Sequence, residues 1–255
     1  LRELWAYREL LGFLVWRDIK VRYKQTLLGG LWAILQPLIG MVVFGAIFTR
    51  VATVHSDGSP YPLFIFAGLT IWSFFQNGLS LASNSLIGNE EMIRKIYFPR
   101  VVVPLAQVLA MAFDLLVSLV FLGALMLYYR WPLTWHVVFL PFFLLGSYLV
   151  TAGLGFMLST LNVRFRDVKY ALPFFIQIMM FLTPVLYPIS QASGRVKILL
   201  SINPMAGMVE GVRYSLLGSP VSWNLMASSF VGAIVLFVIG LFFVRRMEIS
   251  FADVI

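Results

Sequence analysis

Long apolar runs separated by short charged stretches organise this chain. Crossing a ~30 Å hydrocarbon layer takes roughly 20 apolar residues in a helix. Six runs read as such crossings, at about 28–49, 62–87, 101–128, 137–161, 171–188 and 223–244. The pattern predicts an all-α integral membrane protein, with residues 28–255 forming one six-span domain. Residues 1–27 follow a different pattern. LRELWAYRELLGFLVWRDIKVRYKQT places Leu4, Leu11, Val15 and Ile19 near one helical face, with Arg8, Arg17, Lys20 and Lys24 elsewhere. Trp5 and Trp16 favour the headgroup zone, so this segment is expected to be an amphipathic helix lying on the inner leaflet.

A second irregular region, about 189–222, is punctuated by PIS, SGR, INP and GSP, all turn or breaker signals. Within it NPMAGMVEGVRYSLLG is too short and too polar to span. It predicts one or two half-inserted helices in a re-entrant hairpin on the outer side. Glu210 and Arg213 are spaced i,i+3 for a local ion pair. Non-helical backbone at membrane depth must be buried in protein or line water, so the hairpin is expected to cap a cavity, a plain surface loop being the alternative. No internal repeat or soluble domain is visible.

Composition supports the membrane reading. The chain has 255 residues, 60% hydrophobic and 12% charged, where soluble domains carry about 25% charged residues. Without cysteine there is no disulfide framework and no thiolate metal site. His55 and His136 fall in different loops and are read as solvated rather than metal-binding. The chain begins at Leu1, which suggests a missing short N-terminal piece, and its first 26 residues are too charged for a signal peptide. The net charge of +8 comes from residues flanking the spans, which suits anionic lipid and orientation better than nucleic acid. Fourteen Lys and Arg fall in the N-terminal segment, the 88–100 and 162–170 loops and the tail, against five on the other side. The positive-inside rule then places both termini in the cytoplasm.

Polar groups inside the spans are few. Gln76, Asn77, Ser80, Ser83 and Asn84 form a stripe down the inner half of the second span. Amides left in lipid are costly, so the stripe either bonds across helices or lines a hydrated passage. Asp114, in the third span, is the lone acid at depth and has no obvious basic partner in any span. Aromatics make up 16% of the chain, Trp72 and Phe75 among them, and aromatic faces suit the C–H edges of sugars. With Gln76, Asn77, Ser80, Asn84 and Asp114 they form the candidate channel lining. Prolines interrupt the first span at Gln36-Pro37 and the fifth at Pro173, Thr183-Pro184 and Tyr187-Pro188.

Catalytic chemistry is missing. There is no G-x-x-x-x-G-K-[ST] loop, no H-E-x-x-H and no G-x-S-x-G. Outside the membrane the outer-side acids are Asp57 and Glu210, far apart in sequence, which argues against an acid–base enzyme there. A conduit remains. Its most conspicuous cytoplasmic feature is NEEMIRKIYFPR, residues 89–100. The spacing predicts a helix of about 15 Å over NEEMIRKIYF, capped by Asn89. Glu90 and Glu91 lie at its positive end, Arg94 and Lys95 toward its negative end, and Pro99 stops it. Met92, Ile96 and Tyr97 would supply its apolar side. Either it is a handle for a separate ATP-driven subunit or a plain loop helix obeying the charge rule.

Five blocks shift that balance: RDIKVRYKQTLLGGLWAILQPL, NEEMIRKIYFPRVVVP, NVRFRDVKYALPF, FLTPVLYP and INPMAGMVEGVRYSLL. Together, in this order and over nearly the whole chain, they resemble the permease subunits of bacterial ABC exporters for lipid-linked polysaccharides, the O-antigen, capsule and teichoic-acid transporters. The resemblance implies a homodimer in the bacterial inner membrane with two ATP-binding cassette subunits. It further implies a channel for a polymer, O-antigen foremost, carried on undecaprenyl diphosphate. ATP and Mg would sit on the partner ATPase, with no cofactor on this chain and no catalysis by it. Asn89, Glu90, Glu91, Arg94, Lys95, Phe98 and Arg100 then resemble a coupling region or cytoplasmic gate, with Arg166 and Asp167 near the partner. Tyr187, Asn203, Glu210 and Arg213 fall in the outer gate. Arg17, Lys20, Arg22 and Lys24 are placed to receive the diphosphate headgroup. A related exporter of drugs or lipids is the alternative; a membrane-embedded glycosyl- or acyltransferase would need an acid or histidine cluster that the sequence does not contain.

Overall fold

The computed structural model describes residues 5–24, 28–47, 58–191 and 200–248. Leu4, Arg50, His55, Asp57, Arg195, Lys197 and the 192–199 part of the expected hairpin lie outside the described residues. The described residues form helices and connecting turns, with no strand among them. In chain order the helices are α1 Arg8–Tyr23, α2 Leu31–Ile47, α3 Tyr61–Gly88, α4 Glu90–Lys95, α5 Val102–Tyr128, α6 Leu140–Arg164, α7 Val168–Phe181, α8 Pro204–Leu217 and α9 Trp223–Glu248. Short 3-10 turns at Trp135–Phe139 and Ile189–Gln191 complete the order.

Local chemistry sets the helix ends. Pro62, Pro141 and Pro204 occupy first turns, where a missing N–H costs nothing. The Asn203 side chain accepts from Met205 N and caps α8. Gly218, at φ 69°, closes the same helix in the left-handed conformation that glycine tolerates best.

Four helical stretches are long and apolar enough to cross a membrane: Tyr61–Gly88, Val102–Tyr128, Trp135–Arg164 and Trp223–Met247. They correspond to the second, third, fourth and sixth expected runs. The other two are apolar but shorter. α2 has 17 residues with Pro37 inside it, and α7 has 14 with Pro173 inside it, or about 25 and 21 Å at 1.5 Å per residue. The run expected over 171–188 is therefore not one continuous helix. Its helix starts at Val168 and ends at Phe181, because Pro184 disfavours helical backbone at Thr183 and removes a donor.

α3 is the hub. It is the least apolar of the four long helices and the most enclosed, packed by α2, α5, α6, α7 and α8. That inversion is what the bilayer requires, since polar side chains are satisfied by protein and not by lipid tails. α6 and α9 cross with their backbones touching. A Cβ added at Gly153 would stand 2.6 Å from the Leu236 carbonyl, so glycine is needed for the approach.

The charged segments converge at one end of the bundle. Leu14 of α1, Leu86, Phe98 and Val102 form a buried cluster joined by Met92, Ile93, Val163 and Met247. It ties together α1, α4, the start of α5 and the last turns of α3, α6 and α9. Arg94, Lys95, Arg164, Arg166, Lys169, Arg245 and Arg246 accompany these elements. At the opposite end the Trp131 indole donates to Leu217 O at 3.3 Å, and His136 packs 4.5 Å from the Tyr214 ring. His136, expected to be solvated, is half-buried there with Thr134 Oγ1 at 2.9 Å.

Candidate functional site

The exposed helix at the charged end is shorter than its sequence suggests. α4 covers six residues, because Ile96 is already extended at φ −132°, ψ 131°. Asn89 does not cap it through its side chain. Its Nδ2 donates backward to Ser85 O at 2.8 Å, closing α3, and its Oδ1 accepts from Arg17 Nη2 at 3.0 Å. The capping expectation fails because the amide is claimed by the preceding helix and by α1. Glu90 and Arg94 form an i,i+4 pair at 2.5 Å, while Glu91, Lys95, Ile96 and Tyr97 are exposed. Met92 and Ile93 supply the inward side; Ile96 and Tyr97, 60% and 93% exposed, do not. Phe98 is buried and Arg100 half-buried behind them. Arg166 and Asp167 are exposed in the turn between α6 and α7, where the Asp167 carbonyl accepts from Tyr170 and Ala171 N.

α1 packs along α5. Its Leu10, Leu11, Leu14 and Val15 meet the start of α5, while Trp5, Phe13, Trp16 and Val21 are exposed. Arg8 and Lys20 stand over the Trp5 and Trp16 rings at 5.0 and 5.1 Å, a pairing of cation and aromatic suited to a headgroup layer. The polar contacts then climb α5. Arg17 bonds Asp18 at 2.8 Å, and Asp18 Oδ2 accepts from Gln107 Nε2 at 2.7 Å. Arg22 Nη1 reaches Asp114 Oδ2 at 2.9 Å, and Tyr23 donates its hydroxyl to Asp114 Oδ1. The missing partner of Asp114 therefore comes from α1 and not from a span. Burial pushes the Tyr23 hydroxyl pKa up, and the hydrogen bond and negative charge of Asp114 add to the rise. Tyr23 stays a donor at any physiological pH. Of the four cations expected to meet a diphosphate, Arg17 and Arg22 are engaged in these contacts, and Lys20 and Lys24 are exposed.

The stripe on α3 divides by depth. Near the charged end Asn162 Nδ2 donates to Ser83 O at 3.0 Å and to Asn84 Oδ1 at 3.2 Å, and Asn84 Nδ2 donates to Ser80 O at 2.8 Å. The two Asn162 bonds hold α6 on α3, and the Asn84 bond lies within α3. Further along, Asn77 and Ser80 border a cavity of about 370 Å³ between α1, α2, α3 and α5, shared with Gln36, Arg22 and Asp114. Asn77 Nδ2 donates to Gln36 Oε1 at 3.0 Å across the gap from α3 to α2. Gln76 is exposed, its Oε1 accepting from the Trp72 indole at 3.1 Å. Trp72 and Phe75 lie in the interior of the protomer, 2% and 0% exposed.

At the far end, Arg213 of α8 is fully buried. Its guanidinium lies 3.5 Å from the Phe64 ring centroid. It donates to Phe64 O at 3.2 Å, to Pro184 O at 2.6 Å and to Val185 O, and pairs with Glu210 Oε1 at 3.4 Å. The expected i,i+3 pair is present, but it is one contact of a larger network. Asn203 Nδ2 donates to Leu182 O at 3.0 Å and Thr183 Oγ1 at 2.8 Å; Tyr61 donates to Leu186 O at 3.2 Å, and Tyr187 to Phe181 O at 2.9 Å. Side chains thus take up the carbonyls that the proline-rich break after α7 leaves outside a helix, as burial demands. Sequence reasoning missed Tyr23, Gln36, Gln107 and Asn162. Each pairs across 41 to 91 residues of sequence, so no local period marks it.

Comparison with known proteins bears on this arrangement. Residues 9–217 match the family model described as ABC-2 type transporter. The O-antigen export system permease protein RfbA of Myxococcus xanthus is 32% identical over 257 residues, covering 99% of this chain and 97% of its own. The protein of the same name from Klebsiella pneumoniae is 29% identical, covering 97% and 95%. The polysialic acid transport protein KpsM of Escherichia coli is 25% identical over 81% of this chain and 80% of its own.

Proposed function

The chain belongs to the ABC-2 type transporter family, and from that premise we propose that it is the membrane channel of an ATP-driven exporter for polysaccharide linked to undecaprenyl diphosphate, an O-antigen in the first instance. It is a transport subunit, and ATP hydrolysis belongs to separate ATP-binding chains. In this reading two copies pair in the bacterial inner membrane with two such chains on the cytoplasmic side. α2 and α7 join the four long helices to make six crossings per copy, and both termini are cytoplasmic. α8 with the break after α7 forms the outer gate, and exposed Lys20 and Lys24 meet the diphosphate.

The observation that carries the reading is the near full-length match to permeases named for O-antigen export. The geometry agrees with it, because α1, α4, the 164–169 turn and the end of α9 gather at one end, where a partner can press on all of them. Deleting the gene in its host tests the proposal. Carrier-linked polymer is expected to accumulate inside the cell and to disappear from the surface. Intact surface polysaccharide in the deletion strain would rule the proposal out.

The handle makes its own prediction. Glu90→Lys with Glu91→Lys is expected to lower ATP-dependent export about tenfold or more while membrane insertion and yield stay at wild-type levels. The Glu90–Arg94 pair is exposed and contributes only about 0.3–0.5 kcal/mol. A tenfold loss corresponds to about 1.4 kcal/mol, so lost helix stability alone does not explain it. Unchanged export per ATP hydrolysed in reconstituted vesicles would count against docking at α4.

A further inference from the structure

We propose that the cavity between α1, α2, α3 and α5 is a binding subsite for one neutral sugar ring of the exported polymer; the inference rests on the export reading above. The charge balance points to a neutral ligand. Arg22 and Asp114 already neutralise each other at 2.9 Å, and Tyr23 adds a second contact to the carboxylate. A phosphate arriving here would face the Asp114 carboxylate. A zwitterionic headgroup would have to pull that pair apart.

What remains available suits hydroxyl groups. The Asn77–Gln36 bond uses one donor and one acceptor, leaving Asn77 Oδ1 and Gln36 Nε2 without partners among the described residues. Thr70, 1% exposed on the same wall, has a hydroxyl with no partner among the described residues. Polar groups at this depth are costly unless satisfied, and a polyhydroxylated ring both donates and accepts. Trp32, half exposed, and Phe74 add aromatic surface for the ring's C–H faces. At about 370 Å³ the space falls at the low end of ligand pockets, suited to a single ring and not to a folded oligomer. The site lies within one protomer, so it needs no second copy to form.

The test uses the purified permease–ATPase complex in phosphatidylcholine nanodiscs. The probes are monosaccharides released by acid hydrolysis of the host's surface polysaccharide, followed by saturation-transfer NMR, with inorganic phosphate in parallel. At least one monosaccharide is expected to bind saturably. Its affinity is expected to fall about tenfold in Asn77→Leu and further in Trp32→Leu, and to be retained in Trp32→Phe, which keeps an aromatic face. Saturation by phosphate alone, no saturable sugar, or sugar binding indifferent to both Asn77→Leu and Trp32→Leu overturns the subsite. Complementation of the deletion strain separates the two readings. Export restored by a chain that binds no sugar overturns the subsite and leaves the exporter reading intact. A wild-type chain that binds sugar, with the binding lost in Asn77→Leu, but restores no surface polysaccharide to the deletion strain keeps the cavity as a sugar site and overturns the exporter reading.

Discussion

Replacing Arg213 by methionine is expected to cost the protein about 3–5 kcal/mol, the range for removing one partner of a buried ion pair. Methionine fills much the same space, so packing is not the main loss. The loss is electrostatic: Glu210, 2% exposed, loses its cation, and the carbonyls of Phe64, Pro184 and Val185 lose a donor. That range already includes the cost of the unsatisfied buried acceptors, about 1–3 kcal/mol for one that no water reaches. Against a total stability of about 5–15 kcal/mol, the variant should unfold at a Tm lower by about 10 °C or more, or fail to accumulate. Arg213→Lys should fall between, because an ammonium keeps the charge but lacks the planar fork that reaches three carbonyls. Adding Glu210→Gln to Arg213→Met should recover part of the loss. Thermal unfolding of the purified complex checks all three, and a wild-type Tm for Arg213→Met would refute the network's role.

The second large effect is expected where α1 meets α5. Asp114→Ala removes the acceptor of both Arg22 and Tyr23 at once, leaving a guanidinium 25% exposed beside a cavity mouth. Export is expected to fall by about tenfold or more, because α1 links the Asn89 contact at the handle to the middle of α5. Asp114→Asn, which keeps an acceptor for Tyr23, should be milder. In a double-mutant cycle, Arg22→Ala with Asp114→Ala should show a coupling of about 0.5–3 kcal/mol in thermal stability, the range for residues in direct contact. Additive losses would mean that the two side chains act separately.

Much of the fold was legible because it follows from apolar run lengths. The run expected over 62–87 is α3 at 61–88, that over 101–128 is α5 at 102–128, and α9 starts at the expected Trp223. Charged clusters and prolines bound those runs, and both are local signals. The site was legible in its parts but not in its joins. Asn89 stands out in the sequence as a cap, Arg17 and Arg22 together as headgroup cations, and Asp114 as the lone acid at depth. That Asn89 bonds Arg17, and Asp114 bonds Arg22, depends on α1 lying along α5, which periodicity does not report. In the sequence Arg213 reads as half of a local pair. The signal that identifies it as a hub is FLTPVLYP, whose broken backbone demands buried donors. Trp72 and Phe75 pack inward because α3 is enclosed on most sides, which a helix with a polar stripe does not announce.

Transport in purified vesicles tests the central claim most directly. The chain is reconstituted alone, and again with the ATP-binding chain from its host, and ATP hydrolysis and movement of carrier-linked polysaccharide across the bilayer are followed together. The account predicts no hydrolysis by the chain alone, and polymer movement that requires both chains and ATP. Hydrolysis by the isolated chain, or ATP-independent modification of the carrier-linked sugar, would contradict it.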